Sequence, residues 1–196
     1  GVDVVARRLQ EPLGKQLGQP VVIDYKPGAA GNIASQFVAG AKADGYTLLF
    51  GTAATHGSNA ALYKKLPFDV ETDFVPVAPL LDVSNVLTIN PDVINVRTLQ
   101  EFVALVKKSP GKYSFASAGS GSPQHLSGEM LNIAFGLDLV HIPYKGSGPA
   151  ITDVVGGQVL VGFESTVVLQ PFVESRRVRP LATTGAKRSI SMPEVP

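Results

Sequence analysis

Four short loops in the sequence combine small residues with hydroxyl groups, and each follows a predicted strand and precedes a predicted helix. In open parallel sheets, ligands bind beyond the carboxyl ends of the strands, where helix N-termini point. Small residues let backbone N–H groups approach an anion, and hydroxyl groups add directional donors. Such a set could hold a carboxylate or phosphate without formal positive charge, although each loop taken singly also fits a plain helix N-cap. The four loops are residues 52–57, 117–122, 144–148 and 164–166.

Motifs for other kinds of site chemistry are weak or missing. The run Gly119-Ser120-Gly121 lacks the third glycine of a dinucleotide fingerprint and the spacing of a hydrolase nucleophile elbow. The histidines His56, His125 and His141 form no i, i+4 pair, so neither a metal site nor a metal cofactor is predicted. His125 and His141 are instead predicted to pack or to form hydrogen bonds. A Ser–His–Asp triad stays open on residue counts alone, but no pattern favours catalysis.

Composition excludes several classes of protein. The 196 residues carry 17 Lys and Arg against 16 Asp and Glu, which gives a net charge of +1 and no electrostatic footprint for nucleic acid or an anionic membrane. Cysteine is absent, which rules out a disulfide scaffold and a cysteine nucleophile. No apolar run reaches the roughly 18–20 residues that a membrane span needs.

The first half of the chain alternates helical and strand patterns. Apolar residues at i, i+3 and i+4 steps predict an amphipathic helix over residues 2–17, and a β-branched run predicts a buried strand at 21–25. The other elements predicted here are a helix at 33–41 and strands at 46–52, 74–81 and 86–89.

The second half repeats this rhythm. Thr98-Leu99-Gln100-Glu101 fits a capping box that opens a helix to about residue 108, and Pro123 opens a helix that ends at Phe135. Apolar strands alternating with helices predict a parallel α/β sheet covered on both faces, in two units that meet near residues 90–96. The remaining predicted elements are strands at 113–117, 139–143, 158–163 and 179–184 and helices at 149–155 and 166–175.

Several segments carry a family resemblance. Residues 21–33, VVIDYKPGAAGNI, follow the pattern V-V-x-[ED]-N-[RK]-P-G-A-[GA]-G-N-[IL] of Bug-type receptors, the extracytoplasmic solute-binding proteins of tripartite tricarboxylate transporters. The other segments that resemble this family are ADGYTLL at 43–49, KLPFD at 65–69, SAGSG at 117–121 with His125-Leu126, and HIPYKG at 141–146 with Pro149-Ala150.

The resemblance implies an α/β fold of the two-lobed periplasmic-binding-protein type II kind, a Venus flytrap. The expected first lobe is residues 1–92, completed by residues 183–196 and by residues beyond the chain, and the expected second lobe is residues 93–182. The family has a strand and a Pro-x-x-Gly-Gly loop before the first helix, so the chain is expected to lack that first strand as well as a C-terminal part.

The function implied by the resemblance is that of a periplasmic receptor. It would capture a small carboxylate, such as a dicarboxylate, a tricarboxylate, an aromatic acid or an acidic amino acid, and deliver it to a membrane permease. The lobes would close by hinge motion near residues 90–96 and Thr183. A monomer without cofactor, nucleic-acid partner or enzymatic activity is expected; the alternative is a two-lobed enzyme acting on a small organic acid.

The resemblance also implies a set of ligand-binding residues, carried over position by position. Glu164 is unusual in this set, because many members carry Asp-Ser where Glu164-Ser165 stands. Beside a carboxylate Glu164 would repel the ligand, so it either turns away, faces a cationic group such as an ammonium, or is a surface carboxylate at a helix N-terminus. The predicted residues are Asp3, Thr52, Ala53, Thr55, Ser117, Gly119, Ser120, Tyr144, Glu164 and Ser165.

Overall fold

The computed structural model describes residues 2–196, which form two compact units, divided between Ala78 and Pro79. These units differ from the predicted lobes, because residues 79–92 and 183–196 belong to the C-terminal unit. The strand at Asn85–Ile89 pairs only within that unit, and Met192 and Val195 are buried in its core. The assignment of lobes in a longer protein stays a prediction.

The N-terminal unit contains helices joined by extended segments. The predicted first helix has its predicted bounds, and the second begins one residue earlier than predicted. The elements are α1 (Val2–Leu17), a 3₁₀ turn (Ala29–Gly31), α2 (Asn32–Ala39), a π-helical turn (Ala54–Ser58) and α3 (Asn59–Leu62).

The strands predicted at 21–25, 46–52 and 74–81 are wrong for this chain, since none of these segments is a strand. A strand needs a neighbour to complete its hydrogen-bond ladder. Within residues 2–196 no segment provides that ladder, and strand-forming side chains such as Val22, Tyr46 and Val75 are exposed. Residue propensity alone therefore did not decide the structure here.

The C-terminal unit is an α/β domain whose elements lie close to their predicted positions. Its strands and helices, in chain order, are β1 (Asn85–Ile89), α4 (Leu99–Lys107), β2 (Ser114–Ser117), α5 (Pro123–Phe135), β3 (Val140–Pro143), α6 (Ser147–Val155), β4 (Val161–Ser165), α7 (Thr166–Glu174) and β5 (Arg179–Thr183).

The five strands form one sheet in the order β3-β2-β4-β1-β5. Strand β2 is parallel to both β3 and β4, whereas β1 is antiparallel to β4 and β5. The predicted α/β class is confirmed, but the sheet is mixed rather than wholly parallel, and β1 is not part of the first unit. The carboxyl ends of β2, β3, β4 and β5 therefore share one edge with the beginning of β1.

Both faces of this sheet are buried. Neighbouring residues of one strand point to opposite faces, so Phe115 joins a cluster with Phe102 of α4, while Ala116 joins a cluster with Ile151 of α6. Helices thus cover both sides, as the apolar strands predicted. Among residues 2–196, no helix combines the length and hydropathy that crossing a membrane requires.

Candidate functional site

Three of the four predicted loops lie together at the sheet edge where β2, β3 and β4 end. The backbone amide of Tyr144 donates to the carbonyl oxygen of Ser117 at 3.0 Å, and the amide of Gly146 donates to that of Ala118 at 3.2 Å. The loops at 117–122 and 144–148 are thereby joined along the edge. The helices that follow, α5 and α6, direct their N-termini to the same place.

Gln124, in the first turn of α5, connects the third loop to the other two. Its Nε2 lies 3.3 Å from the hydroxyl oxygen of Ser147 and 3.5 Å from Oε2 of Glu164. The prediction from sequence omitted Gln124 because it was based on small and hydroxyl residues. Its place directly after the Pro123 that opens α5 was the available signal.

Glu164 is a buried carboxyl group at the end of β4, only 2 % exposed. Its Oε2 accepts the backbone amide of Ser165 at 3.3 Å, and its carboxyl group also interacts with the hydroxyl of Ser147. Burial is the main cause that raises the pKa of Glu164 above its ordinary value. Burial therefore acts against the charged form, and the interpretation of Glu164 as a surface carboxylate is wrong because the residue is buried.

Two buried polar atoms at this edge lack a hydrogen-bond partner within residues 2–196: Oε1 of Glu164 and Oγ of Ser165. Ser165 is the N-cap residue of α7, but its hydroxyl makes no capping hydrogen bond. Buried polar groups in folded proteins are nearly always paired, so two neighbouring exceptions call for an explanation.

Ser117 and Gly119 shape the loop between β2 and α5. The side chain of Ser117 is buried, and its Oγ accepts the amide of Gly119 at 3.1 Å. Gly119 has a φ of +128°, and a Cβ there would lie 3.2 Å from the carbonyl oxygen of Tyr144. A glycine thus permits the close approach of the two loops.

The amides of Ala118 and Ser120 are different, because neither donates to an acceptor within residues 2–196. Ser120 is exposed, and Ala118 is partly exposed. These amides are available to a ligand, whereas the predicted hydroxyl of Ser117 points inward.

Tyr144 uses its hydroxyl within the protein. The phenol donates to Oδ2 of Asp153 in α6 at 2.6 Å. Burial, followed by this hydrogen bond, raises the pKa of Tyr144 to about 12. In this chain the phenol is bound to the last turn of α6, and the backbone of Tyr144 contacts the neighbouring loop.

The fourth predicted loop, residues 52–57, lies in the N-terminal unit and forms its own hydrogen bonds. The amide of Thr52 donates to Oγ1 of Thr55 at 2.9 Å, and the amide of Thr55 donates to Oγ1 of Thr52 at 3.3 Å. Thr55 is buried and Ala53 is exposed. These hydrogen bonds stay within the loop, and Ala53, the N-cap residue of the π-helical turn, makes no side-chain cap.

Asp3, the remaining predicted residue, is exposed in the first turn of α1. It accepts the hydroxyl of Tyr25 and the Nε of Arg7, the latter at 2.9 Å. The hydrogen bond from Tyr25 is the main cause that lowers the pKa of Asp3. Whether Asp3 and the loop at 52–57 serve the same ligand as the C-terminal unit stays a prediction.

Asn85 and Thr184 lie at the sheet edge of the C-terminal unit but were missed from the sequence. The amide of Asn85 donates to Oγ1 of Thr184 at 3.0 Å, and Nδ2 of Asn85 donates to Oγ of Ser127 at 3.1 Å. They reach this edge because β1 runs antiparallel, which no local pattern indicates. Within the described residues, no group of three or more His, Asp or Glu side chains could hold a metal ion.

A family model described as "Tripartite tricarboxylate transporter family receptor" matches residues 5–196. The protein BugT of Bordetella pertussis is 38% identical over 195 residues, a match that covers 99% of this chain and 60% of BugT. The chain therefore spans about three fifths of the length of this relative.

Solved structures of periplasmic binding proteins are also similar to this chain. The periplasmic binding protein BugD is 36% identical with a TM-score of 0.94, and the match covers 100% of this chain and 64% of BugD. MatC from Rhodopseudomonas palustris with bound malate is 33% identical with a TM-score of 0.92, covering 100% of this chain and 66% of MatC.

Proposed function

Because the chain belongs to the tripartite tricarboxylate transporter receptor family, we propose that the whole protein is a periplasmic receptor that binds a small carboxylate and delivers it to a membrane permease. The family resemblance that the motifs predicted is confirmed. The proposal concerns a binding protein without catalytic turnover. Its ligand class is supported by the malate bound to MatC.

The observation that carries the proposal is the pair of unpartnered buried atoms, Oε1 of Glu164 and Oγ of Ser165, beside three helix N-termini. Helix N-termini present backbone N–H groups and a partial positive charge to an anion. The amides of Ala118 and Ser120 add two donors at the same edge. A carboxylate here would accept several hydrogen bonds from these groups.

Glu164 fits this scheme in its uncharged form. A charged Glu164 would repel an anionic ligand or require an ammonium group next to it. Burial raises its pKa, which favours the neutral carboxyl, and a neutral carboxyl can donate a hydrogen bond to the ligand. We therefore favour a plain carboxylate over an amino acid.

Ligand binding must also change what the permease recognises. A ligand shifts a conformational equilibrium only if it binds one state more tightly than the other. In the proposed receptor, the carboxylate stabilises the state that docks on the permease. Closure by hinge motion near residues 90–96 and Thr183 stays a prediction.

The test is a thermal-shift and calorimetry screen of the chain with malate, citrate, benzoate and glutamate. We expect saturable stabilisation by at least one plain carboxylate, with no product formed on prolonged incubation. Ser165→Ala should weaken binding about tenfold, the effect of losing one hydrogen bond to a charged group. Ser175→Ala, at the exposed C-terminal end of the same helix, is the matched control and should bind normally.

Two outcomes would contradict the proposal. If none of the four compounds stabilises either this chain or the full-length protein, the assignment of a carboxylate receptor is wrong. If one of them is converted to a product, and Ser120→Ala abolishes that turnover, the protein is an enzyme. Stronger binding of glutamate than of malate would instead show that Glu164 is charged and faces an ammonium group.

A further inference from the structure

Two histidines that no proposed ligand contact involves are stacked beneath the loop between β2 and α5. The ring centroids of His125 in α5 and His141 in β3 lie 4.0 Å apart, with the rings inclined by 27°. Phe115 of β2, which is fully buried, packs against both imidazoles, with its ring centroid 5.0 Å from that of His141 and 6.5 Å from that of His125. Two imidazole rings in such contact are unfavourable when both are charged.

Both histidines form hydrogen bonds with the loop, His125 with the backbone of Gly121 and His141 with the side chain of Ser117. The amide of Gly121 donates to Nδ1 of His125 at 3.1 Å. Nε2 of His141 lies 2.6 Å from Oγ of Ser117, which in turn accepts the amide of Gly119 at 3.1 Å. The amides of Gly119 and Gly121 are therefore hydrogen-bonded to the histidine pair, directly or through Ser117. The amides at the alternate positions, Ala118 and Ser120, donate to no acceptor within the described residues.

Because Nδ1 of His125 accepts a hydrogen bond, this nitrogen carries no proton. A neutral imidazole that accepts at Nδ1 carries its proton on Nε2, and a protonated imidazole donates from both nitrogens. In the charged form, Nδ1 and the amide of Gly121 would be two donors facing each other. The loop geometry at Gly121 is thus compatible only with an uncharged His125.

The groups around His125 have opposite effects on the stability of a positive charge on its ring. The N-terminus of α5 and the ring of His141 disfavour it, whereas Oε1 of Glu129, 3.8 Å from Nε2, favours it. Burial, together with the neighbouring His125, lowers the pKa of His141 to about 4, so His141 stays neutral above mildly acidic pH.

We propose that the stacked pair His125–His141 is a pH-sensitive positioning device for loop 117–122, which holds the amide of Gly121 while His125 is uncharged and releases it on protonation. Any consequence of this device for carboxylate binding rests on the proposed function. The device itself does not, and it is tested without any ligand.

The experiment records ¹⁵N NMR spectra of the ligand-free chain between pH 8 and pH 5. We expect His125 in the Nε2–H tautomer at pH 8, and the amide resonances of Gly119 and Gly121 shifting with the same midpoint as the His125 ring. The amides of Gly111 and Gly157, which donate to backbone carbonyls elsewhere in this unit, are internal controls and should not follow that midpoint.

A conservative variant separates positioning from general stability. Asn at position 125 offers Oδ1 as an acceptor near the place of Nδ1 but does not titrate, so His125→Asn should keep the Gly121 amide hydrogen-bonded and remove its pH response. An Nδ1–H tautomer of His125 at pH 8, or a Gly121 amide that ignores the titration of the ring, would overturn the proposal. The tautomer is read on the wild-type chain, so the test does not depend on the variant folding.

Discussion

Gly128 of α5 lies directly against the ring of Phe115 in β2, so close that a Cβ at position 128 would come within 2.2 Å of the ring. Phe115 is fully buried and supports the ring of His141. The helix can approach the sheet at this point only because residue 128 has no side chain. The start of α5, and with it the edge formed by the loops, depends on that approach.

Gly128→Ala should therefore destabilise the C-terminal unit. Overpacking a filled core typically costs about 1–3 kcal/mol, because the ring or the helix must move. The measurement is the free energy of unfolding from urea titration. Gly148→Ala is the matched control, since a Cβ in α6 at that position meets nothing within 4 Å; its stability should be unchanged or raised by up to about 1 kcal/mol.

Thr98→Ala should lower stability by about 1 kcal/mol, the usual effect of losing an N-cap side chain. The hydroxyl of Thr98 accepts the amide of Glu101 at 3.1 Å, and Oε2 of Glu101 accepts the amide of Arg97 at 2.7 Å. Thr98→Ser keeps the acceptor and should remain near wild type in the same urea titration. Equal losses in both variants would show that the methyl group, and not the cap, matters.

Glu164→Gln should change how stability depends on pH. Burial raises the pKa of Glu164 in the folded state above its ordinary value of 4.5, so the folded protein binds this proton more tightly than the unfolded chain. Stability from this group is full below pH 4.5 and is lost as pH rises through the raised pKa.

The glutamine variant lacks this titration, so the difference in unfolding free energy between wild type and variant should shift in favour of the variant as pH increases. Thermal or urea unfolding of both proteins across a pH series gives that difference. A difference that is flat, or that shifts the other way, would mean that Glu164 is charged in the fold.

Ala30→Gly should stabilise the N-terminal unit by about 1 kcal/mol, because an L-residue in the left-handed region is strained there. Gly28, Ala29, Ala30 and Gly31 all have positive φ, and Ala30 has a φ of 50°. The opposite result is expected for Ala34→Gly in α2, where glycine costs about 0.5–1 kcal/mol. Differential scanning calorimetry of the two variants checks the predicted difference in sign.

Local signals predicted the C-terminal unit well. Pro123 at a first helical position predicted where α5 begins, because proline acts through the backbone of a few residues. The predicted end at Phe135 is also observed, and Gly136 follows it in the left-handed conformation. The strand at 46–52 failed for the converse reason, since aromatic and β-branched residues favour extended backbone but cannot provide a second strand. The antiparallel direction of β1 is set by its pairing with residues distant in sequence, so no local pattern could predict it.

For the candidate site, the position of the loops was predictable and the direction of their side chains was not. Small and hydroxyl residues identified the edge that contains Ser117 and Ser165. Packing decides that the hydroxyl of Ser117 meets His141 and that the phenol of Tyr144 meets Asp153. His125 and His141 are separated in the sequence, and the contact between their rings is seen only in the folded structure.

The position of β1 between β4 and β5 has a consequence for biosynthesis. Asn85 leaves the ribosome long before Ser165, its partner in the ladder, has been translated. The hydrophobic strand must therefore wait unpaired while three helices and two other strands emerge. Such non-local pairing makes folding slow and exposes the nascent chain to aggregation. A chaperone that shields residues 85–89 during this interval would protect an apolar strand that has no partner yet.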